Sequence, residues 1–268
     1  MPTVERPGGE LCYRVIEATA PWHGEPDTIV FLHGVGAGNE LWSGWFSALI
    51  ERYRLVLIDT RGCGRSAGIG GYDAWTLDGL SDDVLSVADH AGIPDFHVVG
   101  ESAGGTAVLN LVSRDLERIR NATTLSTAHR GGQIDRVRRW RSDVEANGVA
   151  WWSDQMMQHR FHEGALSGEQ AATFRARQDP STAAALLRKG ELLLETDLTE
   201  LLPGIRCPLL TMLPDRSPFV TPDIGVETLG LVPGSELCII PKAKHGIFYS
   251  HAGFAIGLLA DFLARRGG

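Results

Sequence analysis

The sequence predicts an α/β fold: a mostly parallel central sheet flanked by helices on both faces, with a helical cap inserted in its second half. Three observations predict it. Through residue 129, short continuous apolar runs alternate with stretches of helical periodicity, as parallel strands buried on both faces and joined by crossover helices do. Residues 130–202 then carry no strand signal but are rich in Arg, Trp, Met and Gln. The alternation resumes at 207–213 and continues to the end of the chain. This divides the chain into a first core part, 1–129, a helical cap or lid, 130–202, and a second core part, 203–268.

Residues 11–18 read as an edge strand, and 28–32 as a buried strand followed by the glycine-rich loop His33-Gly34-Val35-Gly36-Ala37-Gly38. Asn39 is placed to cap a helix with Leu41, Trp42, Trp45 and Leu49 on one face. Residues 55–58 form the next buried strand, ending at Asp59 and leading into the loop Thr60-Arg61-Gly62-Cys63-Gly64-Arg65-Ser66. Thr76 caps a helix in which Leu77, Leu80, Val84, Val87 and Ala88 repeat at three and four, stopped by Gly92 and Pro94. Residues 96–99 are β-branched and apolar, and 121–127 form a weaker strand. The cap reads as helices broken at Gly131-Gly132, Gly148, Gly164 and Pro180. A strand at 237–240 leads through Lys244-His245-Gly246 to a terminal helix over 253–265.

Composition narrows the function classes. A hydrophobic share of 43% with 22% charged residues in 268 residues suffices for one large core. A net charge of −8 argues against nucleic acid or an anionic membrane as partner, since both need a basic face. Cys12, Cys63, Cys207 and Cys238 are scattered without metal-ligand spacing, so they read as free thiols of a reduced, cytoplasmic protein. The first residues show no signal peptide, and no apolar run is long enough to span a membrane. A small-molecule substrate is the expected partner, with a homodimer left open and no cofactor or metal required.

The stretch 95–112 carries the chemistry. Between its apolar strand and its apolar helix stands Gly100-Glu101-Ser102-Ala103-Gly104, a Gly-x-Ser-x-Gly pentapeptide. With 32 glycines in 268 residues, chance supplies roughly 0.2 such matches, so the motif counts only through its setting. The setting is a strand before it and a helix after it, a sharp turn that would hold Ser102 in strained geometry. Its hydroxyl would then be exposed beside the following N–H and the helix N-terminus.

Four segments in order, Leu32-His33-Gly34-Val35-Gly36, 59–66, 100–104 and His245-Gly246, resemble the α/β-hydrolase fold over essentially the whole chain. Within that fold, Arg138-Arg139-Trp140, Gly148-Val149-Ala150, Arg160-Phe161 and 201–208 are most similar to the branch of 3-oxoadipate enol-lactone hydrolases and carbon–carbon bond hydrolases. The resemblance implies that Ser102 is the nucleophile and that His245, on the loop after the last strand, is its base. His251 is the fallback base, and His33 is read as shaping the oxyanion loop. His159 and His162 in the cap lack a third ligand for a metal. The backbone N–H groups of Val35 and Ala103 would form the oxyanion hole. Trp152, Met156, Phe161 and His129 are candidate pocket residues.

The acid departs from the family pattern. A strict count along Leu213-Pro214-Asp215-Arg216-Ser217-Pro218 puts Ser217 where the carboxylate usually stands and Asp215 two residues early. Asp215 is the expected acid, because an ionised group is needed to hold the imidazole tautomer and balance its charge. Asp223, Glu227 and Ser217 are the alternatives. The expected activity is hydrolysis of a small carboxylic ester or lactone through an acyl-enzyme. Hydrolytic cleavage of a carbon–carbon bond in a β-diketone or vinylogous ketone is the alternative chemistry, and a non-catalytic small-ligand receptor is the alternative of another class.

Overall fold

The computed structural model describes residues 1–114, 117–178 and 182–266; Pro180 lies outside the described residues. Eight strands form one sheet in the order β1-β2-β4-β3-β5-β6-β7-β8. They are β1 (Thr3–Arg6), β2 (Gly9–Ile16), β3 (Asp27–Leu32), β4 (Tyr53–Ile58), β5 (Phe96–Glu101), β6 (Ile119–Leu125), β7 (Leu209–Pro214) and β8 (Glu236–Ile240). The pairs β1/β2 and β2/β4 are antiparallel, and every pairing from β4 to β8 is parallel.

The expected edge strand, β2, is not the edge. The charged tetrapeptide Thr3-Val4-Glu5-Arg6 pairs outside it, turning back through Pro7 and Gly8. Four residues with two charges carry too little periodicity to read as a strand, yet they cover the open backbone of β2.

The central strands alternate their side chains between two cores, as a pleat with period two requires. Val30, Leu32, Val56, Ile58 and Val98 face one side, against α2 (Leu77–His90) and α3 (Ala103–Val112). Ile29, Phe31, Leu55, Leu57 and Val99 face the other, against Trp42, Trp45 and the terminal helix. Thr76 caps α2, its hydroxyl accepting the Gly79 N–H at 3.0 Å. Asn39 does not cap its helix. It opens a 3-10 turn, Asn39–Trp45, that runs into α1 (Phe46–Leu49), and its N–H donates to Asp59 Oδ1 at 3.0 Å. A strand-end carboxylate thus takes the orphan N–H that a cap side chain would otherwise satisfy.

Between β6 and β7 the described chain is helical: α4 (Trp140–Arg160), α5 (Gly168–Arg177) and α6 (Ala183–Glu195), with short 3-10 turns. Gly148, at φ 82°, interrupts α4 where the sequence placed a break. A third apolar cluster joins this segment to the strand ends, with Val137, Trp140, Trp152 and Met156 meeting Val35, Leu213, Phe219 and Val220. The chain closes with α7 (Pro222–Leu231), α8 (Ile247–Ser250) and α9 (Ala252–Arg266). Among the described residues, no helix is long and apolar enough to cross a membrane.

Candidate active site

Ser102 sits between the last residue of β5 and the first of α3, with φ 53° and ψ −118°. This is left-handed backbone that an L-residue adopts only when its surroundings impose it. The surroundings are close backbone approaches. A Cβ on Gly104 would lie 2.5 Å from Leu32 O, and one on Gly100 would lie 2.5 Å from Gly104 O. The two motif glycines are therefore steric requirements: without them β3, β5 and α3 could not converge at the serine.

His245 follows β8, and its Nε2 lies 3.0 Å from Ser102 Oγ. Its main chain is anchored from two sides. The Ser126 hydroxyl donates to His245 O at 2.6 Å, and Gly246 N–H donates to Arg160 O at 3.0 Å. Ser126, just past β6, itself has φ 52°. The Phe219 ring stands 4.9 Å from the imidazole, centroid to centroid. Burial, together with the positive charge of Arg160 and the neighbouring His159, lowers the His245 pKa to about 3.

The expected acid is not in contact with this histidine. Asp215 extends the ladder by one residue, its N–H donating to Ile240 O at 3.1 Å, and its Oδ1 accepts the Ala243 N–H at 2.9 Å. The carboxylate is thereby committed to the backbone two residues short of His245. Ser217 stands in its place, with Oγ 3.2 Å from His245 Nδ1 while accepting the N–H groups of Phe219 and Val220 at 3.1 and 3.2 Å. Glu227 is engaged elsewhere, with Arg130 and Gln133, and Asp223 lies in the first turn of α7. Among the described residues, the carboxylate that approaches His245 is Glu101, the neighbour of Ser102. Its Oε1 is 3.8 Å from Nε2, with both side chains almost fully buried.

Val35, Ala103, Ser102, His245, Met156, Phe219 and Arg160 share the wall of one narrow cleft. Val35 and Ala103, the expected oxyanion pair, thus face the serine's cleft. Of the four expected pocket residues, Met156 lines it and three do not. Trp152 lies one layer back, its ring edge-on to Trp140 at 5.1 Å and filling the space beside Gly36. Phe161 packs edge-on to Phe174 at 4.9 Å and against Gly246, in the second core. His129 is enclosed behind α7, with Nδ1 3.2 Å from Thr228 Oγ1. Of the large apolar cap residues expected to line the cleft, Trp152 and Phe161 pack behind it, while Ile134, Val137, Trp140 and Leu193 of the same segment line it beside Met156.

Three of the other histidines have local duties. His33 Nε2 accepts the Thr60 N–H at 3.0 Å, so its Nδ1–H donates to Gly34 O at 2.8 Å, steadying the loop that carries Val35. His251 pairs with Ser250, and His159 with Arg136.

Sequence reasoning missed two buried charges. Arg160, at the end of α4, donates to Val35 O at 2.6 Å and to Gln178 Oε1. Burial lowers its pKa to about 10, opposed by the nearby Glu101. Glu101 Oε2 accepts the Gly34 N–H at 2.9 Å, and burial raises its carboxyl to about 7, against the pull of Arg160 and that hydrogen bond. The signal available for Glu101 was a carboxylate at the end of an otherwise largely apolar strand. Arg160 entered only as part of the family-like cap pattern, and nothing in that arginine-rich segment marked it as buried.

The comparisons agree with this architecture. Residues 27–252 match the family model described as alpha/beta hydrolase fold. The chain is 30% identical over 251 residues to the pimeloyl-acyl-carrier-protein methyl ester esterase of Klebsiella pneumoniae (strain 342), covering 88% of this chain and 94% of that one. It is 33% identical over 136 residues to 3-oxoadipate enol-lactonase 1 of Acinetobacter baylyi, covering 47% of this chain and 50% of that one. The crystal structure of the enol-lactonase from Burkholderia xenovorans LB400 superposes with a TM-score of 0.86 at 25% identity, over 98% of this chain and all of that one. With its strand order, its serine turn and this match over most of its length, the chain belongs to the alpha/beta hydrolase fold family.

Proposed function

We propose that the protein is a serine hydrolase acting on a small carboxylic ester or lactone. The observation that carries the reading is the pairing of a strained, cleft-facing Ser102 with His245 Nε2 at 3.0 Å. In this reading His245 Nε2 takes the Ser102 proton as Oγ attacks the carbonyl carbon, forming a tetrahedral oxyanion. The backbone N–H groups of Val35 and Ala103 receive that oxyanion at the N-terminus of α3. The imidazolium then passes its proton to the departing oxygen, leaving an acyl-Ser102, and a water deprotonated by His245 releases the acid. Residues 130–202 act as a lid, with Met156 and Arg160 on its inner wall. The named activities of the similar proteins, a methyl ester esterase and enol-lactonases, support the same bond class.

A second reading, a small-ligand receptor on the same fold, is favoured by one observation: His245 Nδ1 meets a neutral hydroxyl rather than a carboxylate. Turnover separates the two. Purified protein assayed on short p-nitrophenyl esters, lactones and β-diketones should hydrolyse an ester or lactone, and Ser102→Ala should lose on the order of 10⁴ or more in rate. Saturable binding with rates equal to the Ser102→Ala blank on every substrate would favour the receptor. Preferential diketone cleavage would move the bond class to carbon–carbon.

A further inference from the structure

Proton transfer from Ser102 creates an imidazolium in a buried place. It is flanked by Arg160 and His159, both of which disfavour positive charge on His245. On the Nδ1 side Ser217 offers a hydroxyl whose oxygen already accepts two backbone N–H groups, so it adds no negative charge there. On the Nε2 side lies a carboxylate, Glu101 Oε1, at 3.8 Å, almost fully buried. A carboxylate about 4 Å from a forming imidazolium favours it strongly enough to speed the step about tenfold or more.

On these contacts, and resting on the serine hydrolase reading, we propose that Glu101 is the positioning residue that supplies the negative charge for the His245 imidazolium, replacing from the nucleophile's own turn the acid that the loop after β7 lacks. The arrangement is rigid. Glu101 is the last residue of β5, and its Oε2 is tied to the Gly34 N–H at 2.9 Å, which leaves Oε1 toward the histidine. The charged and polar groups facing it are Arg160 from α4, His245 from the loop after β8, and the Gly34 N–H from the loop after β3. His33 stays neutral behind that loop, its pKa lowered to about 3 by burial and by Lys189. Arg160 keeps the Glu101 carboxylate from rising further, so its ionisation falls near neutrality, at about 7. Below that pH the carboxyl is neutral and gives the imidazolium nothing; above it the charge is in place.

The test is the second-order rate of fluorophosphonate labelling of Ser102, which requires no knowledge of the substrate. Wild-type labelling should rise with pH through about 7. Glu101→Gln keeps the size of the side chain and an oxygen for the Gly34 N–H; it should label about tenfold or more slowly, without that rise. Ser217→Asp, which puts a carboxylate on Nδ1, should restore the rate in the Glu101→Gln background. A Glu101→Gln protein that labels like wild type and keeps the rise overturns the proposal, with the serine hydrolase reading intact. So does a slow variant that Ser217→Asp cannot restore, because Glu101 would then serve only to hold the Gly34 loop. If Glu101→Gln does not fold, Ser217→Asp in the wild-type background decides the matter: the rise near 7 should flatten, and an unchanged rise overturns the proposal. Wild-type protein that never labels at Ser102 overturns the hydrolase reading itself, and this inference falls with it.

Discussion

The two sides of the His245 ring are built on different physics. The Nε2 side is the serine turn, where backbone segments approach so closely that Gly100 and Gly104 have no room for a Cβ. The Nδ1 side is the loop 214–218, where what matters is whether a side chain carries charge. Steric demands write themselves into residue identity, because only glycine satisfies them. Electrostatic demands do not, since a carboxylate can be supplied from more than one direction. Asp215 and Ser217 both stand near the histidine loop, and chain geometry alone determined which one reached it.

The largest expected effect follows from filling that side. Ser217→Asp keeps an oxygen for the Phe219 and Val220 N–H groups and adds a charge on Nδ1. It should raise the rate of ester turnover by about 10² or more, since a carboxylate there fixes the tautomer as well as the charge. An unchanged rate, with the fold retained, would mean that Nδ1 needs no acid in this site.

The same contrast explains what was legible. The sheet, the serine turn and the histidine loop were readable from apolar runs, two glycines and chain order. The strand β1 was not, because its pairing with β2 depends on tertiary contact rather than on its own pattern. Nor was the acid position. The residue count pointed to Ser217 and the charge argument pointed to Asp215, and the hydrogen bond of Asp215 to Ala243 N–H cannot be seen in a sequence. Trp152 and Phe161 could be recognised as apolar packing residues, but not assigned to cleft or core.

That last ambiguity gives the next comparison, between the layer that faces Ser102 and the layer behind it. Trp152→Ala should cost about 3–5 kcal/mol of stability, measured by denaturant unfolding, and leave the ranking of substrates by acyl length unchanged. Met156→Ala, on the cleft wall, should change that ranking at a smaller cost in stability. If Trp152→Ala alters selectivity while stability holds, the tryptophan belongs to the cleft.

A smaller effect comes from acidification. The His245 pKa falls from 6.5 in the unfolded chain to about 3 in the fold. Its contribution to stability is therefore full above about 6.5 and is lost as the pH drops through 3. His245→Asn should lose less stability than wild type over that range, read as the difference between the two melting curves. Glu101, raised from 4.5 to about 7, acts in the opposite sense: its contribution is present below 4.5 and is lost as pH rises through 7. The smallest effect belongs to Asp215→Asn. It should alter turnover by no more than a few-fold, and stability by about 1 kcal/mol through the hydrogen bond to Ala243 N–H.

Labelling the protein with a fluorophosphonate and mapping the modified peptide by mass spectrometry tests whether Ser102 is the nucleophile of a hydrolase. A single stoichiometric adduct on Ser102 is expected, absent in Ser102→Ala and strongly slowed in His245→Ala. An adduct on another serine, with Ser102→Ala labelling and turning over like wild type, would contradict it.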